Sequence, residues 1–175
     1  MTTTTTRPGS TGAVCTIGCP RAVAPADSRP SGASGEVFDE LLATGAVVVG
    51  RRTFDLVDGW GGDHHGVPIF VLTRNKPGGD TVRWPSGTYV TDVEAAVASA
   101  KDAAGGKDVL VHGAGTAQLA PAAGVLDELE IHQIPVLLGQ GRRLFDHLGP
   151  DHIELKLSRI VDACGVTHLR CRVRR

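Results

Sequence analysis

The chain has 175 residues, 41% hydrophobic and 21% charged, enough apolar material for one domain-sized core. Eighteen Lys and Arg against nineteen Asp and Glu leave a net charge of −1, which argues against both a basic nucleic-acid binder and an acidic solvating tail. One Tyr, two Trp and four Phe are too few for a platform that stacks single-stranded bases, and no apolar run reaches the roughly 18 residues a membrane helix needs.

Residues 1–35 are rich in Thr, Ser, Gly and Pro, and Pro8, Pro20, Pro25 and Pro30 interrupt any regular period. So little apolar surface does not offset the cost of ordering a backbone, and the expectation is an irregular or partly disordered N-terminal segment. Its one strand-like stretch is residues 13–17, and the alternative is that this stretch adds a strand to the sheet. Met1 and the threonines after it lack the basic-then-apolar layout of a secretory signal, so a cytoplasmic protein is expected. Cys15, Cys19, Cys164 and Cys171 are too few for a disulfide scaffold. The Cys15–Cys19 spacing has no second pair of ligands nearby, and no metal is assigned.

From Ser34 the chain becomes regular. Ser34 is placed to cap a helix through Leu42, with Gly45 as its stop. Residues 46–49 form a wholly apolar strand, of the kind covered on both faces. Gly50-Arg51-Arg52-Thr53-Phe54 turns into a short helix, and a glycine- and histidine-rich loop follows over 59–66. Residues 67–72 and 88–90 are strands. Thr91 with Glu94 reads as a capping box for a helix that Gly105 and Gly106 end. A strand over 109–111 leads through His112-Gly113-Ala114-Gly115 into a helix that Pro121 ends or kinks. Residues 129–138 read as a longer strand, and 154–161 and 166–173 as a closing hairpin. In its last strand Thr167, Leu169, Cys171 and Val173 alternate with His168, Arg170, Arg172 and Arg174, one face buried and the other basic and wet. Strands alternating with helices and then following one another predict an α/β domain over 36–175, parallel at first and antiparallel at its end.

Three strand ends share one logic. Gly50, Arg51, Arg52 and Thr53 join a strand to a helix, where free N–H groups favour an anion. Thr73 and Arg74 set a hydroxyl beside a guanidinium at the end of the next strand. His112, Gly113, Ala114, Gly115 and Thr116 form a small-residue turn a pyrophosphate can approach. It is not the dinucleotide fingerprint, because Gln118 stands where a third glycine is needed. Ligands of open α/β sheets bind outside the carboxyl ends of strands, so the three ends together make a coherent site for a phosphorylated cofactor.

Gly-Arg-Arg-Thr-Phe at 50–54, Leu-Thr-Arg at 72–74, Val-His-Gly-Ala at 111–114, Leu-Asp-Glu-Leu at 126–129 and Pro-Val-Leu-Leu-Gly-Gln-Gly-Arg-Arg-Leu-Phe at 135–145 follow in order. Over residues 36–175 the chain resembles the dihydrofolate reductase-like family that includes the reductase domain of bacterial riboflavin biosynthesis. The resemblance implies a dihydrofolate reductase-like three-layer sandwich with a mixed, mainly parallel sheet ending in an antiparallel hairpin, in a homodimer. It implies NADPH as cofactor. Gly50, Arg51, Arg52 and Thr53 would lie near its phosphates. Leu72, Thr73 and Arg74 would lie near the adenosine and its 2′-phosphate, and His112, Gly113, Ala114, Gly115 and Thr116 near the pyrophosphate. The reaction implied is hydride transfer to a pterin or pyrimidine-like small molecule. The Ser-Leu-Asp-Gly-like stretch that closes the first strand of relatives is missing from residues 1–35, and no catalytic acid is identified. The alternative is a nucleotide-binding or structural homodimer that kept the fold and lost the substrate site.

Other candidates carry less. His64 and His65 are adjacent, and neighbours in an extended chain point apart, a poor chelate. Trp60 is read as a loop anchor and Asp127-Glu128 as the start of a strand. The arginines at 170, 172, 174 and 175 read as a solvated strand face rather than a nucleic-acid contact. No Gly-x-Ser-x-Gly elbow and no Cys with an evident His partner support nucleophilic hydrolysis.

Overall fold

A computed structural model of the chain describes residues 2–3, 13–17, 29–78, 83–141, 143–146, 148–149 and 152–174. Most of the expected leader, with Cys19 and Arg175, lies outside them. The leader's one apolar stretch takes the alternative: β2 (Ala13–Ile17) is a strand inside the sheet, with β1 (Thr2–Thr3) antiparallel to it. The remaining elements are α1 (Gly32–Leu42), β3 (Ala46–Gly50), α2 (Arg51–Leu56), a 3-10 turn (Asp58–Gly62), β4 (Ile69–Leu72), β5 (Gly87–Val90), α3 (Val93–Ala103), β6 (Val109–His112), α4 (Ala114–Ala122), β7 (Glu128–Gln133), β8 (Leu155–Ala163) and β9 (Val166–Val173).

The sheet order is β5-β4-β3-β6-β2-β7-β9-β8. Pairing is parallel from β5 to β7 and antiparallel where β9 joins β7 and β8. This is the mixed, mainly parallel sheet with an antiparallel end that the sequence predicts. Period-two alternation sorts its residues into two cores. Ala46, Val48, Val109 and Val111 pack against Ala96, Val97 and Ala100 of α3. Val47, Val49, Ile69, Val71 and Leu110 pack on the other face against Leu41 of α1 and Phe54 of α2. Ala117 and Ala120 of α4 meet Leu129 of β7. Helices on both faces force the central strands to be apolar throughout, and Val47, Val48 and Val49 are fully buried.

Several local expectations shift. Helix α1 starts at Gly32, one turn of helix ahead of Ser34 being its cap. Ser34 lies inside the helix, where its hydroxyl meets His168 Nε2 at 3.1 Å. Asp92, not Thr91, caps α3 by accepting from the Ala95 N–H at 2.8 Å. Pro121 sits in the last turn of α4, which ends at Ala122 as Gly124 takes positive φ and its N–H bonds the Pro121 carbonyl. The predicted strand over 129–138 stops at Gln133, and Leu137 beyond it is wholly exposed. The last strand departs most. His168 is 3% exposed rather than wet, and the Arg170 side chain is turned onto the buried Glu130. Helix α1 covers that face of the hairpin, so its polar side chains pair with one another instead of with water.

Candidate functional site

Strands β3, β4 and β6 spend their side chains on the two cores, and polar groups gather where they end. Gly50 leads from β3 into α2, Thr73 and Arg74 follow β4, and Gly113 leads from β6 into α4. Two glycine contacts hold these ends together. A side chain on Gly113, at φ +95°, would fall 2.5 Å from Thr53 Oγ1, and one on Gly50 would fall 2.8 Å from Thr116 Oγ1. Only glycine lets α2 and the start of α4 approach so closely.

A cleft of about 900 Å³ opens at these ends, lined by Gly50, Arg51, Arg52, Leu72, Thr73, Arg74, Gly115 and Thr116 from the expected set. Thr53, Gly113 and Ala114 do not line it; Thr53 and Gly113 supply the packing just described. Asp55, Leu56, Asn75, Thr91, Asp92, Val93 and Leu119 line it without having been anticipated. The end of β5 enters through Thr91 and Asp92, because Thr73 N–H bonds the Val90 carbonyl at 2.9 Å and draws β4 and β5 to a common rim.

The three arginines are not equivalent. Arg51 Nε donates to both oxygens of Asp55 at 2.8 Å, and its guanidinium lies 5.5 Å from the centre of the Tyr89 ring. Asp55 is thereby neutralised, and Asp92 is occupied as the α3 cap. Among the described residues, Arg52 and Arg74 carry no ion pair and are exposed on the cleft. Thr73 Oγ1 donates to the Asn75 carbonyl at 2.9 Å, which shapes the turn that presents Arg74. Thr116 is 2% exposed, and its hydroxyl has no hydrogen-bond partner among the described residues.

His112 belongs to a second constellation on the α1 face. Its ring meets His64 Nε2 at 3.1 Å, His64 Nδ1 contacts His65 Nδ1, and His65 Nε2 reaches Thr44 Oγ1 at 3.0 Å. The Thr44 hydroxyl already donates to the Leu41 carbonyl at 2.8 Å, so His65 donates to Thr44. His64 then donates to His65 and accepts from His112. The expectation that His64 and His65 point apart fails because His65 adopts φ +48°, off the extended backbone on which alternation depends. Burial and the neighbouring His65 push His64 down to about 4, so its ring is neutral at pH 7. Trp60, also at positive φ, packs its ring on His64 and His112, with centroids at 4.4 and 5.2 Å.

A third group escaped the sequence reading. Glu130 and His132 of β7 and His168 of β9 are all buried, and one ligating atom from each lies within 4.8 Å of the others. The signal was present: Glu130 and His132 share a strand face, and a hairpin partner brings His168 opposite His132. His132 Nδ1 and His168 Nδ1 are 2.5 Å apart. Glu130 Oε2 accepts from Arg170 Nε and a terminal guanidinium nitrogen at 2.8 and 2.5 Å, and Arg170 also reaches Glu40 at 2.7 Å. Burial pushes the Glu130 carboxyl above its usual range against the pull of Arg170, and burial with the facing His168 pushes His132 down to about 3.

The model for the RibD C-terminal domain matches residues 20–169. No curated protein matches the chain. Among solved structures, a protein of Shewanella sp. PV-4 named for riboflavin biosynthesis is similar at 20% identity and a TM-score of 0.65, over 91% of this chain and 85% of that one. A pyrimidine reductase-like protein of Corynebacterium diphtheriae is similar at 12% identity and 0.58, over 93% and 90%. RibD of Acinetobacter baumannii is similar at 17% identity and 0.57, where 88% of this chain spans 54% of that one. The fold is the dihydrofolate reductase-like one, and the chain belongs to the RibD C-terminal domain family.

Proposed function

We propose that this chain is an NADPH-dependent reductase that transfers hydride to a pterin or pyrimidine-like small molecule. Family membership supports a reductase. The observation that carries the cofactor is the pair of guanidiniums, Arg52 and Arg74, that carry no ion pair among the described residues and line a cleft with Gly115 and Thr116 of α4. The residues fit an anionic dinucleotide. The cleft is of ligand size, and among the described residues nothing stands within 4 Å of where a Gly115 side chain would be and the buried Thr116 hydroxyl lacks a partner. In this reading Arg74 and Arg52 hold the 2′-phosphate, and the α4 N-terminus with Thr116 receives the pyrophosphate. The nicotinamide supplies the hydride, while the chain positions the reactants and keeps water out. The same reading includes a cytoplasmic homodimer. Among the described residues no helix is long and apolar enough to cross a membrane, and the edge strand β8 exposes Leu157 and Ile160.

Calorimetric titration with NADPH and NADH tests the reading. NADPH should bind tighter by roughly 1.5–3 kcal/mol, the scale of charge-assisted hydrogen bonds, and Arg74→Ala should remove most of that difference. Equal affinities overturn it. Tight NADPH binding without oxidation by any pterin or pyrimidine in a panel leaves the alternative, a nucleotide-binding protein without catalysis.

A further inference from the structure

The buried polar cluster between α1 and the C-terminal hairpin has no part in the cofactor cleft, and its composition is unusual for a structural core. Buried polar groups are retained when satisfied, yet His132, 4% exposed, has an Nε2 with no partner among the described residues. We propose that Glu130, His132 and His168 form a binding site for one divalent transition-metal ion of the zinc class.

The geometry comes from strand register. Residues two apart on β7 put Glu130 and His132 on one face, and antiparallel pairing puts Arg170 opposite Glu130 and His168 opposite His132. Three ligating atoms within 4.8 Å of one another follow from backbone positions that the sheet holds rigid.

The surrounding groups suit ligands rather than a plain ion-pair cluster. His168 Nε2 lies 3.1 Å from Ser34 Oγ, which fixes the ring and leaves Nδ1 to ligate, and Arg170 holds the Glu130 carboxylate. The two Nδ1 atoms, 2.5 Å apart, hold one proton between them; for both to ligate, the His132 proton would move to its Nε2, the atom with no partner among the described residues. Nitrogens on a tetrahedral ion with bonds of about 2.0–2.1 Å sit about 3.3 Å apart, so the rings need part by less than ~1 Å.

The class of ion follows from the donor set. Two imidazoles and one carboxylate suit zinc and its neighbours, whereas calcium and magnesium require mostly oxygen ligands. Glu40 and Glu130 already balance Arg159 and Arg170. The ion's charge is therefore offset by an anion or hydroxide in its open position rather than by further side chains.

The test is zinc titration of the chelator-treated full chain by calorimetry, with cobalt(II) absorption as a second readout. One equivalent should bind, with at least about tenfold weaker affinity in both His132→Gln and His168→Gln and unchanged affinity in His64→Gln. The cobalt spectrum should show nitrogen and oxygen ligation with no thiolate charge-transfer band. No binding, unchanged affinity in the two variants, loss in His64→Gln instead, or a thiolate band each overturns the proposal. Where His132→Gln or His168→Gln fails to fold, His64→Gln still decides it: one equivalent bound at full affinity with a nitrogen–oxygen cobalt spectrum supports the cluster, and lost binding overturns it.

Discussion

At the scale of single residues, the cleft distinguishes side chains that look alike in sequence. Arg51, Arg52 and Arg74 are one residue type, but Arg51 is spent on Asp55 and the Tyr89 ring. Arg52→Ala and Arg74→Ala should each weaken NADPH more than NADH, whereas Arg51→Ala should weaken both alike by loosening α2; paired titrations of the three variants check the order. Thr116 offers a sharper contrast. Its buried hydroxyl has no partner among the described residues, so Thr116→Val removes a desolvated polar group. Urea denaturation should show stability unchanged or raised by up to about 1 kcal/mol, while nucleotide affinity falls. The residue types that line this cleft were legible in the chain, since glycine, threonine and arginine after apolar strands are the types expected at an anion site. Which guanidinium stays free was not legible, because Asp55 and Asp92 take their partners through local geometry.

At the scale of elements, two contacts decide how the site is held. Gly113 joins β6 to α4 at φ +95° and faces Thr53 of α2. Gly113→Ala adds backbone strain and a collision, and should cost about 2–4 kcal/mol in chemical denaturation. A companion Thr53→Ala should recover only the collision. The α1–hairpin contact rests on Glu130, which is 2% exposed and paired to Arg170. Glu130→Ala leaves that guanidinium buried against Glu40 alone. The expected cost is about 3 kcal/mol, the low end for breaking a buried pair, because Glu40 is retained. Element type was largely readable from hydrophobic period. Ends were less so, because Ser34 looks like a cap by type but spends its hydroxyl on His168.

For the whole molecule, the histidines predict an acid limb of stability. His64 is lowered to about 4 and His132 to about 3 by burial, and His65 and His168 are lowered as well. Each folded pKa lies below that of the unfolded chain, near 6.5, so acid protonates the unfolded state first. The stabilisation is complete above pH 6.5 and is lost as pH falls through the window down to the folded values. Each neutral histidine contributes a slope of about 1.4 kcal/mol per pH unit inside it. Glu130, raised by burial, acts in the opposite sense above 4.5 but is one group against four. Urea midpoints at pH 7.5, 6 and 5 should therefore fall steadily, and His132→Asn should flatten the fall. A midpoint unchanged across that range would show that the two histidine clusters are open to water in solution.

The chain by itself determined its fold class and which residue types gather at the ends of β3, β4 and β6. Apolar strands, glycine turns and arginines act over neighbouring residues and can be read locally, whereas the sheet sets the strands of the cleft in the order β4-β3-β6 rather than in chain order. Tertiary structure alone decided the rest. The stretch 13–17 looks marginal in a Pro- and Gly-rich context, yet as β2 it pairs with β6 and β7, because a strand flanked on both sides draws its hydrogen bonds from the sheet rather than from its own composition. The same holds for the histidines. His65 turns beside His64 through a left-handed backbone, and His168 leaves a seemingly solvated face because α1, more than a hundred residues earlier in the chain, lies over it. Side-chain alternation assigns a residue to a face, but whether that face meets water depends on what the rest of the chain lays across it.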